Sequence, residues 1–307
     1  MTPFDTAKPY PAFPIPVVAE LGLEGLGIGP AAQDEHLDYL NMPQGMQTYQ
    51  APLLPEPEEI AGHQAVKDVL DAVLRALEQI TSGSAPERST LSIPLPSLTV
   101  AERTLVNQLL GEGEVSAQVL LPGAAPTIRI QEAVFAGVWR VIETLDGGLL
   151  RDRIEVGAVP EVLRQCAQAD GRLGPPAVAL PALSPSQSNA PSVLFELEDQ
   201  RRRWQPGQPP HVANLSLLPL TPEDIGYMDM KLGTGRVLIL SRGYGNCRIT
   251  NCTVPHTWRV VYYNSQDTVI LNSVEVTDMP EVACAAQEDL QDSIERLREV
   301  VQWVNQS

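Results

Sequence analysis

Three side chains with metal-binding chemistry lie close together in the second half of the sequence. Cys247, Cys252 and His256 form a Cys-x4-Cys-x3-His string, and thiolate and imidazole groups are ligands for zinc and iron–sulfur clusters. Side chains alternate between the faces of a strand, so residues five apart point in opposite directions. We therefore predict buried thiols and no resident cofactor, with a metal or iron–sulfur cluster at these residues as the alternative.

The same region offers a thiol site as a second kind of chemistry. Cys247 is one candidate and Cys284 is the other, because a helix N-terminus can lower the pKa of a thiol and Cys284 lies near the start of the predicted last helix. The small neighbours of Cys284 favour tight packing instead. No Gly-x-Ser-x-Gly, His-Glu-x-x-His, phosphate-binding or dinucleotide motif occurs. We therefore predict no catalytic site.

A loop bounded by glycines is the main candidate for recognition. Arg242, Tyr244 and Asn246 alternate with Gly243 and Gly245, and such side chains suit the gripping of a backbone or a carboxylate. A solvated hairpin turn is the alternative interpretation. The polar residues predicted to lie beside this loop belong to the next turn and are Asn264, Gln266 and Asp267.

A long internal repeat separates the shared residues from the specific ones. The string Leu-Gly-x-Gly-x-Val at 110–115 recurs at 232–237, and Trp-Arg-Val at 139–141 recurs at 258–260. A period of about 120 residues exceeds the roughly 20–50 residues of a solenoid unit. The sequence therefore predicts a duplicated domain, in which shared residues build the fold and residues of one copy alone are candidates for function.

The first copy lacks both candidate sites. Ile128, Ala133 and Gly137 correspond to the cysteine–histidine string, and none of them binds a metal through its side chain. The stretch 121–127, Leu-Pro-Gly-Ala-Ala-Pro-Thr, corresponds to the Arg-Tyr-Asn loop. Trp258 differs from these features, because Trp139 matches it, and we predict that it belongs to the core.

Each copy is predicted to be α+β, with a helix, a four-stranded antiparallel meander and a closing helix. The copies cover about 91–170 and 214–307. Their first helices, 99–110 and 221–232, start at a threonine, which is a favourable N-cap. The closing helix of the second copy is predicted to start near Pro280.

Three further segments complete the chain. Residues 1–57 are rich in Pro and Gly and predict an extended arm, within which 37–49 is dense in Leu, Met and Tyr and should dock on the body or on a partner. Residues 58–90 predict an amphipathic helix, with an acidic start, and a connector. Residues 171–213 predict a Pro-rich linker with a short helix at 193–204.

Composition limits the partners. The 307 residues include 38 Asp and Glu but only 21 Lys and Arg, a formal net charge of -17, which would repel nucleic acid and attract cationic protein. No apolar run reaches the ~18 residues of a membrane span. The N-terminus lacks a basic region followed by an apolar one. We therefore expect a cytoplasmic protein with no membrane insertion and no nucleic-acid partner.

Longer strings resemble the HupH/HyaF/HoxQ family of hydrogenase proteins. They lie at 232–237, at 240–249 (Leu-Ser-Arg-Gly-Tyr-Gly-Asn-Cys-Arg-Ile), at 263–267 (Tyr-Asn-Ser-Gln-Asp), at 280–290 (Pro-Glu-Val-Ala-Cys-Ala-Ala-Gln-Glu-Asp-Leu) and at 37–46 (Leu-Asp-Tyr-Leu-Asn-Met-Pro-Gln-Gly-Met). The resemblance implies a maturation protein for uptake [NiFe]-hydrogenase that acts on the iron–sulfur small subunit before export and assembly. A thioredoxin-like accessory protein is the implied companion. The resemblance supplies no catalytic residues.

The sequence thus leads to three functional hypotheses. The first is a non-catalytic chaperone that holds the small-subunit precursor through the second copy, with the N-terminal arm as a further candidate contact. The second is an iron–sulfur carrier or thiol-dependent maturation enzyme that uses Cys247, Cys252 or Cys284. The third is an acidic scaffold that joins other maturation factors.

Overall fold

The computed structural model describes residues 55–60, 62–83, 89–95, 98–120, 127–145, 148–174, 189–243 and 245–306. The predicted arm lies almost entirely outside these residues, as does its apolar stretch at 37–49. Within the described ranges the chain is α+β, as predicted, and its ten strands form one antiparallel sheet.

The strands and helices follow a repeated order. The strands are β1 Leu91–Pro94, β2 Val115–Val119, β3 Thr127–Glu132, β4 Val138–Leu145, β5 Gly148–Val156, β6 His211–Asn214, β7 Val237–Ser241, β8 Asn246–Asn251, β9 Thr257–Tyr263 and β10 Val269–Val276. The α-helices are α1 Pro57–Ile60, α2 Gln64–Thr81, α3 Val100–Leu110, α4 Glu161–Leu173, α5 Ala190–Arg203, α6 Pro222–Leu232 and α7 Gln287–Gln306. Short 3-10 helices cover Leu215–Leu217 and Glu281–Ala283.

The two copies share the sheet through their β2 and β7 strands. The strand order is β1-β5-β4-β3-β2-β7-β8-β9-β10-β6. From the centre outward the first copy runs β2, β3, β4, β5, β1 and the second runs β7, β8, β9, β10, β6, so the two orders are equivalent. Val119 pairs with Val237, and Val115 pairs with Ser241, across the junction. Each copy therefore has a meander of four strands, extended by a fifth strand, β1 or β6, that the sequence analysis did not predict.

Local sequence explains the matching helices α3 and α6. The hydroxyl of Thr99 accepts from the backbone N–H of Glu102, whose carboxylate accepts from the N–H of Thr99. Thr221 and Asp224 repeat this capping box in the second copy. The reciprocal bonds satisfy amides that have no partner inside the helix. Both predicted helix starts are thus found.

Three segments differ from their predictions. The first predicted helix is divided into α1 and α2, because Gly62 adopts a φ of 90° that interrupts the helix. The closing segment after Pro280 begins with a 3-10 helix, and α7 starts only at Gln287. The short helix predicted at 193–204 of the linker is found as α5, but α5 and the unpredicted strand β6 pack into the core rather than merely connecting the copies.

The hydrophobic core lies on both faces of the sheet. One face, which we call the tryptophan face, buries Trp139 and Trp258 at 1% exposure each, beneath α4 and the segment 279–284. Both indoles are core residues, as predicted for the shared tryptophan. The opposite face, the helical face, is covered by α2, α3 and α7 over the first copy and by α5 and α6 over the second.

The antiparallel junction places equivalent strand ends of the two copies at opposite ends of the sheet. We call the end where β7 and β9 finish the upper end, and it carries the β7–β8 and β9–β10 connections of the second copy. The strand ends that lead into the matching connections of the first copy, Val119 and Leu145, lie at the lower end, because β2 runs antiparallel to β7. A feature of one copy therefore has its counterpart at the far end of the molecule.

Candidate functional site

The start of the β7–β8 loop is held by contacts with Glu114. The backbone N–H of Arg242 donates to the carbonyl of Glu114 at 3.1 Å, and Gly243 is so close to the Glu114 side chain that a Cβ would collide with its carboxylate. Gly245 has a φ of 102°, a conformation that favours glycine. Arg242 itself is exposed. Tyr244 lies outside the described residues.

The β9–β10 turn is closed by one side chain. The Asn264 Oδ1 accepts from the backbone N–H groups of Gln266 and Thr268, each at 2.9 Å, and Asp267 adopts a φ of 57°. Asn264 therefore holds the turn, whereas the side chain of Gln266 is exposed. Of the three polar residues predicted here, Gln266 is the one best placed to meet a partner.

The structure brings the loop and the turn together. Asn246 at the start of β8 pairs with Tyr263 at the end of β9, the residue just before Asn264. The upper end therefore presents Arg242, Asn246 and Gln266 from two adjacent connections. Guanidinium and amide groups in this arrangement can bind a carboxylate or the backbone of an extended segment.

Carboxylates of the first copy surround the base of the loop. Burial raises the pKa of Glu112, and the positive charge of Arg242 opposes this rise. Burial is also the main reason that the pKa of Glu132 rises to about 7, with the charges of Glu114 and Asp289 adding to the effect. The exposed guanidinium of Arg242 thus lies near carboxyl groups of the first copy whose neutral forms are favoured by burial.

The cysteines do not form a common site. Cys247 packs into the tryptophan face and Cys252 into the helical face, so the predicted opposite orientation is found. Burial raises the pKa of both thiols to about 12. Cys284 is half-buried and its thiol donates to the carbonyl of Pro280 at 3.5 Å. Within the ranges that the structure describes, no group of three or more His, Cys, Asp or Glu could hold a metal ion.

His256 has a different environment from the one that the sequence analysis considered. Its ring stacks on the indole of Trp204, with centroids 3.6 Å apart and planes 16° apart. Burial lowers the pKa of His256, which favours the neutral ring. The backbone φ is 53°, where the first copy has Gly137 at 77°. The contact escaped sequence analysis, because Trp204 and His256 lie on separate elements.

A second copy-specific cluster lies beside Cys247 and was also missed. The Tyr262 hydroxyl and the Cys247 thiol lie close enough to influence each other's pKa, and Glu275 influences both groups. Burial, followed by repulsion from Glu281, raises the pKa of Glu275 to about 7. A position-by-position comparison of the copies would have found this cluster, because Glu143 stands where the second copy has Tyr262.

The fold and its sites define a duplicated α+β protein with one specialised copy. The family model for the HupH hydrogenase expression protein, C-terminal conserved region, matches residues 64–171 and 187–304. The two matches cover the two copies together with the helix that precedes each. The chain therefore belongs to the HupH hydrogenase expression protein family.

Relatives match over nearly their whole length. The hydrogenase expression/formation protein HoxQ of Cupriavidus necator is 52% identical over 293 residues, 95% of this chain and 98% of the relative. HupH of Rhodobacter capsulatus is 43% identical over 94% of this chain and 100% of its own. The hydrogenase-1 operon protein HyaF of Escherichia coli is 32% identical over 91% and 95%.

A solved structure of the hydrogenase expression protein HupH from Thiobacillus denitrificans aligns with a TM-score of 0.35 and 25% identity, covering 38% of this chain and 96% of its own. Among the helices in the described part of the chain, none has the length and apolar character that crossing a membrane requires.

Proposed function

We propose that this chain is an accessory protein for the maturation of uptake [NiFe]-hydrogenase and that it binds the immature iron–sulfur small subunit before export and assembly. It acts in the cytoplasm as a non-catalytic holder, alongside a thioredoxin-like accessory protein. Binding would shield a partly folded, cysteine-rich client until its clusters and its partner subunit are in place. Membership of a family of hydrogenase expression proteins supports the maturation role.

The observation that carries the binding role is the divergence of the upper end. The two copies share strand order, helix caps and buried tryptophans. Only the second copy adds Arg242, Asn246 and Gln266 on adjacent connections. Arg242 and Gln266 are exposed and Asn246 is half-buried, and residues of this kind that the shared fold does not need are the best candidates for contact with a client.

The thiol and carrier hypotheses receive less support. A thiolate is the reactive form of cysteine, and burial raises the pKa of Cys247 and Cys252 far above neutral pH. Anaerobically purified protein that carried bound iron, or that lost function on Cys247→Ser or Cys284→Ser, would favour a carrier or enzyme over a holder. An acidic scaffold would bind accessory proteins without binding the small subunit.

A binding measurement tests the proposal directly. The purified chain should bind the small-subunit precursor, and the variant R242A/Y244A/N246A should bind it at least about tenfold more weakly, the loss of roughly 1.4 kcal/mol. Arg151→Ala is the matched control, because Arg151 is an exposed arginine on β5 of the first copy and should leave affinity unchanged. Absence of any complex with the wild-type chain would refute the proposal. A triple variant of normal affinity would remove the loop from it.

A further inference from the structure

The outer strands of the two copies present equivalent positions on the tryptophan face. In the second copy, Cys247 pairs with Tyr262, Tyr262 with Leu271, and Glu275 with both Trp258 and Val212. Residues directly opposite one another, and residues two apart in a strand, share a face. We call the set Val212, Cys247, Tyr262, Leu271, Ser273 and Glu275 the second-copy platform.

The first copy shows the same pairings with different chemistry. Ile128 pairs with Glu143, Glu143 with Arg151, and Glu155 with both Trp139 and Ser92. Position by position, the first copy therefore has Ser92, Ile128, Glu143, Arg151, Arg153 and Glu155 where the second-copy platform has its six residues.

Charge is balanced in the first copy. The guanidinium of Arg153 bridges two carboxylates, reaching Glu155 at 2.7 Å and also Glu143. The second oxygen of Glu155 accepts from the backbone N–H of Glu161 at 2.9 Å. These side chains form a closed polar network, so this part of the face has little need of a partner.

The second-copy platform leaves one carboxylate without a cation. Ser273 stands at the position of Arg153, and its hydroxyl donates to the carbonyl of Val260 at 3.2 Å. Among the described residues, no Arg or Lys side chain forms an ion pair with Glu275, and the charge of Glu281 adds to the rise in its pKa. Burial makes the charged form of this carboxyl costly, which is why its pKa rises to about 7. A cation brought from outside would reverse that cost.

Apolar surface adjoins this carboxylate. Val212 is 49% exposed on the edge strand β6, and Tyr262 and Leu271 are half-buried. Ile270, at the bulge of β10, and Leu217 are more exposed still, at 61% and 81%. The Ser216 hydroxyl accepts from the backbone N–H of Asn272 at 2.8 Å, which holds Leu217 and its 3-10 helix beside β10.

The geometry points to the second-copy platform as the docking surface for a segment of the hydrogenase small-subunit precursor that carries an arginine or lysine flanked by apolar residues. The cation pairs with Glu275, and the apolar residues cover Tyr262, Leu271 and Val212. This inference rests on the proposed function and adds a second contact surface to it, which continues from the upper end through Tyr262.

Charge complementarity selects this occupant over the other candidates. The arm segment 37–49 of the same chain contains no Arg or Lys, so it cannot supply the cation. A second copy that docked the same platform symmetrically would bring two Glu275 carboxylates towards each other. A net charge of -17 also favours a basic partner.

Two substitutions test the role of the missing cation. Ser273→Arg copies the first-copy arginine into the second-copy platform, so Glu275 gains an internal partner and the affinity for the precursor should fall about tenfold. Glu275→Gln removes the charge and should lower the affinity several-fold, with a weaker salt dependence of binding than in the wild type. Because Ser273 is buried, Glu275→Gln keeps the test valid if Ser273→Arg does not fold.

A photo-crosslink locates the surface independently. Benzoylphenylalanine at Val212 should crosslink to the precursor, whereas the same group at Ser92, the equivalent edge position of the first copy, should not. A crosslink from Val212 to a second copy of the chain or to its own 37–49 segment, or equal crosslinking from both positions, would overturn the inference. If the wild-type chain binds the precursor while both substitutions leave the affinity unchanged, this inference fails and the proposed function stands. If the wild-type chain does not bind it, both fail.

Discussion

The two ends of the sheet differ in how they satisfy their polar groups. At the lower end, Asp170 of α4 accepts from the backbone N–H and the guanidinium of Arg236, at 2.8 and 2.6 Å, and from the Asn251 amide at 2.9 Å. At the upper end, the corresponding positions hold Leu290, Glu114 and Glu132. The side chain of Leu290 lies against Gly137. An ionic lock at one end is thus matched at the other by apolar packing and by two carboxyl groups that form no ion pair among the described residues.

This difference shows where the copies have diverged. The residues that pack the sheet are matched pairwise, as Trp139 and Trp258 illustrate. Several polar residues at the ends and on the outer strands are not matched, as Arg153 and Ser273 illustrate, although Glu155 and Glu275 are. The lower end uses its charges to join α4 to the second copy, whereas Glu114 and Glu132 at the upper end form no such ion pair among the described residues. Stability should therefore depend similarly on matched core residues and differently on the two ends.

The largest expected effect is the loss of stability on removing either of the two core tryptophans. Trp139→Ala and Trp258→Ala should each lower the free energy of unfolding by about 3–5 kcal/mol, because each removes a large, fully buried side chain. Urea denaturation measures the loss, and Leu217→Ala, at an 81% exposed position, should change stability by less than about 0.5 kcal/mol. A clearly smaller loss for one tryptophan would contradict equal roles in the core.

The ionic lock of the lower end should contribute next. Asp170→Ala leaves the Arg236 guanidinium and the Asn251 amide without their shared acceptor, so we expect a loss of about 3 kcal/mol in urea denaturation. Arg172→Ala, at an exposed position of the same helix, serves as the control and should be nearly neutral. An equally small effect of Asp170→Ala would mean that the lower end is not held by this network.

At the upper end, substitution of a polar residue should raise the free energy of unfolding rather than lower it. The carboxyl of Glu132 has its pKa raised from 4.5 to about 7, so the folded state holds a proton that the unfolded state releases between these values. Stability therefore falls as pH rises from 4.5 to 7. Glu132→Gln, which introduces the amide chemistry of Asn251, should stabilise the protein by about 2–3 kcal/mol at pH 8 and by much less at pH 4.5.

Denaturation of both proteins at the two pH values measures this difference. Glu288→Gln, at an exposed position of α7, is the control and should leave the pH dependence as it is. A parallel pH profile for Glu132→Gln and the wild type would show that Glu132 does not account for the upper-end electrostatics.

The elements that sequence predicted best are those determined by their neighbours in the chain. The Thr99 and Thr221 caps depend on a residue three positions away, and the strands of the second copy are bounded by turn residues. The strands β1 and β6 have four residues each and exist only because β5 and β10 offer distant edges for pairing. Short segments carry too little periodicity to reveal such partners.

The contacts of the candidate site likewise divide into those that the local sequence predicts and those that it does not. The proximity of Asn246 to the Asn264 turn could be predicted from the meander, since consecutive hairpins of antiparallel strands alternate between the two ends of a sheet. The stack of Trp204 on His256 joins an α-helix terminus to a hairpin and has no local signal. The exchange of Arg153 for Ser273 was readable in the sequence, but its meaning depended on the strand register that places Glu275 beside it.

The smallest expected effect concerns the paired turns at Gly137 and His256. His256→Gly removes a non-glycine residue from a φ of 53°, which should stabilise the turn by about 1–2 kcal/mol, but it also removes the stack on Trp204, a contribution of about 0.5–1.5 kcal/mol. The net change in thermal or urea stability should be below about 1 kcal/mol. Because His256 packs beside the helical core of the second copy rather than at the upper end, affinity for the small-subunit precursor should stay at the wild-type value. A loss of affinity at unchanged stability would place this turn within the client-binding surface. Client contacts would then not be confined to the upper end and the second-copy platform.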